Sequence, residues 1–262
     1  MYFNKKVIFS QIKNGIIKHK KLFFVMIFWN VMCIYVATKN HMARYEFYGM
    51  SASVADVLIN LQEGLVFGLE ILPLTVFLIL KCKLDNMHTQ FMIRYGDRTS
   101  MLSDGVTESI IYSIISSLLL VLLGILASCQ YGLPFINWDS ANSVLCMETG
   151  LLLAESFWHV VFRVLLMYIV KHMMFFVMID ILKWFPRYLF LNWISLMFVA
   201  TLELPILKLQ GIVGVHSLFS VQYVMWGENH KYAILLLAGI AIIYIEYWIG
   251  GHLIHKIDVF YE

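Results

Sequence analysis

Three polar side chains spaced four residues apart form the nearest approach of this chain to a catalytic constellation. Glu155, His159 and Arg163 would share one face of a helix, because residues at i and i+4 are neighbours on a helix surface. A carboxylate beside an imidazole can exchange protons with a substrate, so Glu155 and His159 are candidates for acid–base catalysis. The same spacing is typical of a polar stripe without catalytic function, and we favour that second interpretation.

Motifs for binding nucleotides or metal ions are missing from the sequence. It contains no G-x-x-x-x-G-K-[ST] phosphate loop, no H-E-x-x-H zinc pair and no G-x-S-x-G nucleophile elbow. His252 and His255, with Glu246 before them, have too few further ligands nearby for a metal site. We therefore expect this chain not to be an enzyme and to hold neither metal nor cofactor.

Long apolar runs dominate the sequence and define its environment. Of the 262 residues, 61% are hydrophobic, and the mean hydropathy is +0.78. A soluble chain of this size would expose much of that surface to water, whereas a bilayer core about 30 Å thick accepts helices of about 20 apolar residues. Irregular chain cannot satisfy its backbone in lipid, so the runs should be helices. We expect an all-α polytopic membrane protein with six spans, at residues 22–38, 64–80, 109–130, 158–182, 188–206 and 232–251.

Ionisable residues inside these spans are the best candidates for a polar transport path. A charge near the bilayer centre is costly and usually faces protein or water instead of lipid. Lys171 stands near the middle of the fourth span. The full candidate set is Glu70, Arg163, Lys171, Glu203 and Glu246. The alternative is that these residues pair one helix with another or extend to a nearby interface.

Basic residues are distributed unevenly between the connections, and this asymmetry sets the orientation. With the N-terminus inside, thirteen of them lie on the inner side: Lys5, Lys6, Lys13, Lys18, Lys20, Lys21, Lys81, Lys83, Arg94, Arg98, Lys183, Arg187 and Lys256. Four lie on the outer side: Lys39, Arg44, Lys208 and Lys231. We therefore expect a multi-pass protein of the plasma membrane with both termini in the cytoplasm.

Two cytoplasmic segments outside the spans have a distinct pattern. Residues 1–21 place apolar side chains near one face and lysines largely on the other, which predicts a helix at the membrane interface, attracted to anionic lipid. Residues 81–108 form the longest cytoplasmic connection, here called the hinge. In the hinge we expect two short helices around a turn at Gly96, the second capped by Ser103 or Asp104.

The outer side carries a third unusual segment, at residues 207–231. It has no charge over residues 209–227, yet its Gly and Ser residues make it a poor lipid-facing helix. A re-entrant segment before the last span fits this pattern, because such backbone is tolerated where protein surrounds it. A seventh span would place the C-terminus outside. We find no repeat and treat residues 1–262 as one membrane domain.

Cysteine and proline positions leave two further points open. Cys129 and Cys146 flank the same outer loop, so a disulfide between them would be compatible with an oxidising exterior, although four scattered cysteines make no framework. Pro73 and Pro205 interrupt the second and fifth spans, where each removes a backbone donor and favours a kink.

This layout resembles the permease subunit of ATP-binding-cassette (ABC) exporters of the type-2 class. The hinge sequence Ile93 to Arg98 is similar to the I-R-Y-G-S-R hinge of small permeases from Gram-positive bacteria, with Asp97 in place of the serine. Lys256, Ile257 and Asp258 are similar to the K-D terminus common in those permeases.

The resemblance implies a division of labour between subunits. Two permeases, identical or related, would form a dimer, and separate ABC ATPase subunits would bind the ATP and Mg²⁺. In that family the hinge and the N-terminal helix dock on the ATPase, so the coupling element here would be Arg94, Tyr95, Gly96, Asp97 and Arg98. The cargo would be amphipathic or hydrophobic, such as an antimicrobial peptide or a lipid-like molecule, and no nucleic-acid partner is expected.

Two other functional classes remain as alternatives. One is a polytopic membrane enzyme, such as an intramembrane protease or lipid-modifying enzyme, with Glu155 and His159 as its candidate residues. The other is a membrane immunity or sensor protein that binds a peptide and transports nothing. The sequence does not distinguish export from import, or a homodimer from a heterodimer.

Overall fold

The computed structural model describes residues 5–62, 65–85, 98–184, 190–191, 193–194, 196, 223, 226 and 229–256. Four helices in this part of the chain are long and apolar enough to cross a membrane. They are α2 (Lys20–Phe47), α5 (Arg98–Gln130), α7 (Phe157–Leu182) and α8 (Asn229–Lys256). The expectation of an all-helical membrane protein is therefore confirmed for the described residues, whereas the number of six spans stays a prediction.

The N-terminal helix α1 (Lys5–Lys18) packs against the structure instead of extending away from it. It is separated from α2 by a single turn residue, His19. Ile12 is buried, and a Cβ added at Gly15 would lie 3.2 Å from Cβ of Cys82. The helix predicted within residues 1–21 is thus present, and it packs where the second span ends.

The second expected span, residues 64–80, is not one regular α-helix. A short helix, α3 (Val54–Asn60), lies before it and outside the predicted spans. A π-helix (Leu65–Ile71) then leads directly into α4 (Leu72–Asp85). The π-helix ends two residues before Pro73, whose ring cannot donate a backbone hydrogen bond. The regular α-helix is therefore interrupted by a π-helical segment just before the proline, and the expected kink at Pro73 stays a prediction.

The hinge is shorter than its predicted range of residues 81–108. Helix α4 continues to Asp85, and α5 begins at Arg98 and runs without interruption to Gln130. Ser103 and Asp104 lie inside α5 and do not cap a separate helix. Met101 and Leu102 are buried in the first turns of α5. Because their apolar contacts stabilise these turns, the helix begins before the span predicted at residues 109–130.

Contacts between helices define two ends of the bundle. Gly105 faces Asp180 and Ser117 contacts His172, so α5 and α7 run antiparallel. We call the end where α4 stops and α5 begins the hinge end, and the opposite end, where α5 stops and α7 begins, the loop end. Helix α2 runs antiparallel to the π-helix and α4, because Asn30 contacts Thr75 whereas Cys33, further along α2, contacts Glu70.

Helices α7 and α8 run in the same direction. A Cβ at Gly239 would meet Val170, and a Cβ at Gly250 would meet Ile181, so contact positions advance together along both helices. The C-terminus of α7 and the N-terminus of α8 therefore lie at opposite ends of the bundle. The termini of the described chain, at the start of α1 and the end of α8, lie at the same end.

A compact layer covers the loop end. The backbone N–H of Val54 donates to Pro134 and that of Ser51 to Asn142, which fastens the start of α3 to the connection between α5 and α6 (Val144–Thr149). Trp138 is fully buried in this layer. Cys129 and Cys146 are both free, so the disulfide left open by the sequence is not formed.

Candidate functional site

Lys171 is the most deeply placed of the predicted transport-path residues. It stands in the middle of α7 and is 2% exposed. Its Nζ donates to the carbonyl of Gln62 at 2.8 Å and lies 4.9 Å from the ring centroid of Phe67. The cation therefore faces the break between α3 and the π-helix and not the lipid.

The geometry of that break explains why a cation is needed there. A helix leaves its last carbonyls without backbone donors, and α3 ends at Asn60, two residues before Gln62. Here the Leu58 carbonyl accepts from the Tyr168 hydroxyl and the Gln62 carbonyl accepts from Lys171, whose positive charge also complements the helix dipole. Interrupted backbone at membrane depth is stable only where protein encloses it, and Gln62 is fully buried. Lys171 thus holds a discontinuous helix together.

The π-helix creates a second carbonyl that needs an external donor. The carbonyl of Glu70 accepts a hydrogen bond from Trp29 Nε1 at 2.7 Å, and Cys33 Sγ lies 3.7 Å from it. The carboxylate of Glu70 is half-buried, and its Oε2 has no hydrogen-bond partner among the described residues. The Glu70 carbonyl therefore joins the π-helix to α2, and this contact is separate from the one that Lys171 makes with Gln62.

Arg163 does not join Glu155 and His159. Its guanidinium lies 5.2 Å from the ring centroids of both Trp226 and Tyr232, which is cation–π geometry. Glu155 Oε2 and His159 Nδ1 are 2.7 Å apart, with His159 in the first turn of α7 and Glu155 two residues before the helix, outside the helix face that the spacing predicted. The three residues thus split into an exposed pair and a buried cation, which fits the polar-stripe interpretation.

The remaining path residues lie elsewhere or outside the described part. Glu246 on α8 is 8% exposed, and its Oε2 has no hydrogen-bond partner among the described residues. Glu203 falls outside the described residues, as does most of the segment 207–231. Lys171, Glu70 and Arg163 occupy three separate contacts, so the described structure does not assemble the predicted set into one path.

No group of three or more metal-ligating side chains occurs among the described residues. His252 Nδ1 lies 3.0 Å from the carbonyl of Trp248, one turn earlier on α8, and its ring packs on the Trp248 ring. The side chain of His255 falls outside the described part.

The densest charged cluster lies at the hinge end, and the sequence analysis did not identify it. We call it the Asp180 cluster; its members are Lys83, Gly105, Glu108, Ser109, Asp180 and Lys183. Asp180 Oδ2 accepts from Lys83 Nζ at 2.5 Å and from Ser109 Oγ at 2.6 Å. Asp180 Oδ1 accepts from Lys183 Nζ at 2.9 Å. One carboxylate therefore contacts a residue of α4, a residue of α5 and the turn after α7.

The Asp180 cluster is closed to solvent and tightly packed. The side chains of Lys83 and Asp180 are both 0% exposed. Lys83 also donates to the carbonyl of Gly105 at 3.2 Å, and a Cβ at Gly105 would lie 2.6 Å from Asp180 Oδ1. Glu108 is buried as well and acts electrostatically on Lys83. The cluster thus contains two carboxyl groups and two lysines, which can pair with one another inside the bundle.

The loop end holds a second buried carboxylate, Asp56, in the first turn of α3. It accepts from the backbone N–H and the Oγ of Ser53, each at 2.7 Å, and from Trp138 Nε1 at 2.9 Å. Burial raises the pKa of Asp56, although these donors oppose the shift. The site is fully occupied by protein donors, which indicates a structural role.

The predicted coupling element flanks the Asp180 cluster along the chain. Arg94 to Asp97 fall outside the described residues, and Arg98 is the first residue of α5. Because α4 ends and α5 begins at the hinge end, the element is attached at the end of the bundle that holds the Asp180 cluster.

Comparison with known proteins gives no relative: no protein-family model, curated protein sequence or solved structure matches this chain.

Proposed function

We propose that this chain is the membrane-spanning permease subunit of an ABC exporter, driven by a separate ATPase subunit that binds ATP and Mg²⁺. The observation that supports this best is the composition of the hinge end. The N-terminal helix α1, the end of α4 and the start of α5 meet there. A cytoplasmic ATPase docked at this end would contact both elements that the resemblance assigns to docking.

The packing of α1 gives this end a surface that can transmit force. Gly15 of α1 lies against Cys82, three residues before the end of α4. A load on α1 or on residues 86–97 would therefore act on the same helix end. A helix that only oriented the first span would not need this contact.

The direction of the helices is compatible with six spans. Helices α7 and α8 run parallel, so the end of α7 and the start of α8 lie at opposite ends of the bundle. A fifth span within residues 188–206 would connect these two ends. Both termini would then lie at the hinge end, in agreement with the expected topology.

Charge supports a cytoplasmic hinge end. Eleven basic residues of the described helices and turns belong to it: Lys5, Lys6, Lys13, Lys18, Lys20, Lys21, Lys81, Lys83, Arg98, Lys183 and Lys256. Three belong to the loop end: Lys39, Arg44 and Lys231. Since basic residues accumulate on the cytoplasmic side, the ATPase would meet this end inside the cell, with a second permease beside it in the bilayer.

The cargo inferred for this permease is an amphipathic or hydrophobic molecule, such as an antimicrobial peptide. Large apolar side chains are exposed along α2 and α8, among them Phe24, Phe28, Leu237 and Trp248. Such a surface suits lipid, a second permease or an apolar cargo at the bilayer boundary.

Charge reversal at the hinge tests the proposal. The chain is purified from its native membranes with and without Arg94→Glu and Arg98→Glu, and the ATPase that copurifies is quantified. We expect the double reversal to abolish copurification. It replaces two positive charges of the docking surface with negative ones, and a loss of charge complementarity between partners opposes docking. The matched control is Lys39→Glu with Arg44→Glu, two exposed residues at the loop end, which should copurify the ATPase normally. Undiminished association of the hinge variant would contradict the proposal.

A further inference from the structure

We infer that Asp180 is a positioning residue that couples the hinge to the membrane-crossing helices. A displacement of residues 86–97 would reach α7 through this carboxylate, which holds both helices that border the hinge. The inference rests on the proposed function, because it assigns to the partner ATPase the displacement that is transmitted.

The connectivity of the Asp180 cluster carries the inference. Lys83 lies two residues before the end of α4, and Ser109 lies eleven residues after the start of α5. Both side chains meet the same oxygen, Asp180 Oδ2. The helix that enters the hinge and the helix that leaves it are thus fastened to one point on α7.

The burial of the cluster makes that attachment firm. Lys83 and Asp180 are enclosed completely, and a buried charge that loses its partner is strongly unfavourable. Separating α4 from α7 would break the ion pair between Lys83 and Asp180 inside the bundle, and Asp180 would keep only Lys183 and Ser109. The helix ends therefore move together, or the cluster exchanges partners as a unit, which is how packed interfaces switch between discrete states.

At Gly105 the backbone of α5 lies directly against side chains of the Asp180 cluster. A Cβ at this position would lie 2.6 Å from Asp180 Oδ1 and 3.0 Å from Lys183 Nζ. The carboxylate therefore sits directly against the α5 backbone. A movement of α5 would act on Asp180 through this backbone contact as well as through Ser109.

The path continues from α7 to α8. Ile181, the residue after Asp180, packs against Gly250 of α8, where a Cβ would lie 2.7 Å from its Cγ1. Because Ile181 and Gly250 are in close contact, a shift of Asp180 would also move the hinge-end half of α8. The cluster is thus placed between the hinge and two crossing helices.

A natural cysteine reports on the hinge end. Cys82 precedes Lys83, is 1% exposed and lies under Gly15 of α1. A variant with Cys33, Cys129 and Cys146 replaced by Ser leaves Cys82 as the single thiol. The permease with its ATPase is placed in nanodiscs, and the maleimide labelling rate of Cys82 is measured without nucleotide and after trapping with ATP, Mg²⁺ and orthovanadate.

We expect nucleotide trapping to change the labelling rate of Cys82 by at least about fivefold, the lower end of common allosteric couplings. Lys83→Met should abolish this dependence while the ATPase still binds nucleotide, and Lys83→Arg should restore it. A purely structural role would alter the rate itself but not its response to nucleotide. Ser109→Ala, which removes one donor to Asp180, should reduce the response and serves if Lys83→Met does not fold.

The matched control is Ser128→Ala, which removes another buried hydroxyl of α5 far from the Asp180 cluster and should keep the response to nucleotide. A full response in both Lys83→Met and Ser109→Ala, or its loss in Ser128→Ala, would overturn the inference. An associated ATPase without any nucleotide effect on Cys82 in the otherwise unsubstituted chain would overturn the coupling alone. A chain that associates with no ATPase would instead refute the proposed function.

Discussion

Three buried charges among the described residues have partners that explain their location. Lys171 serves the Gln62 carbonyl, Asp180 is shared by Lys83 and Lys183, and Arg163 lies between two aromatic rings. Such pairings are what an apolar environment demands, because an unpaired ion there is several kcal/mol less favourable, on the order of 3–5 kcal/mol when one partner is removed. The burial of these three residues is therefore explained by the contacts that they make between helices.

Asp56 gives a pH dependence whose sign follows from its burial. Since burial raises its pKa above the ordinary value of 3.8, the folded protein binds this proton more tightly than the unfolded chain. The stabilisation is complete below that ordinary value and is lost as pH rises through the folded pKa. We expect thermal unfolding of the purified protein to show this loss relative to Asp56→Asn, which cannot titrate. A stability difference between the two proteins that is independent of pH, or that grows in favour of the unsubstituted protein at higher pH, would contradict this.

Residue-level prediction from the sequence succeeded only in part. A lysine in the middle of an apolar run had to face protein, and Lys171 does. The link between Lys83 and Asp180 was not predicted, because Lys83 falls in the hinge and Asp180 in the fourth span, and neither segment alone shows that the two residues meet. The available signal was position along the helices. Lys83 lies near the end of α4 and Asp180 near the end of α7, and both helices end at the hinge end, so the two residues lie at the same depth in the bundle.

At the scale of elements, the second crossing differs most from the sequence-based expectation. Hydropathy predicted the span at 64–80 but could not show a π-helix, because apolar periodicity does not register one extra residue per turn. Pro73 was the visible signal. What stabilises the segment is tertiary: Trp29 of α2 satisfies the Glu70 carbonyl, and Lys171 of α7 satisfies that of Gln62.

Two glycine substitutions are expected to change stability differently, because Gly105 lies at the contact between α5 and α7 whereas Gly251 lies in open space. Gly105→Ala places a methyl group against Asp180 and Lys183, and overpacking of this kind costs about 1–3 kcal/mol. Gly251→Ala on α8 meets nothing within 4 Å and should be neutral or stabilise by up to about 1 kcal/mol through helix propensity. Thermal unfolding in detergent measures both. Equal stability of the two variants would show that α5 and α7 are not in close contact at Gly105.

At the scale of the whole molecule, the arrangement of the ends matters more than any single site. Helix α1, the borders of the hinge and the end of α8 gather at one end, while α3 and the connections on either side of α6 close the other. Composition was sufficient to predict helices in a membrane, and the basic residues predicted an orientation. The parallel course of α7 and α8 could not be read from hydropathy, because it depends on the contacts of Gly239 and Gly250.

The central claim is that a separate ATPase drives this chain from the hinge end, and site-specific photocrosslinking in intact cells tests it most directly. Benzoylphenylalanine replaces Tyr95 in the hinge or, as the aromatic control at the loop end, the exposed Phe47. We expect ultraviolet light to join position 95 to an ATPase carrying a phosphate-binding loop, and position 47 to give no such product. Crosslinking of the ATPase from position 47 with none from position 95 would contradict the account.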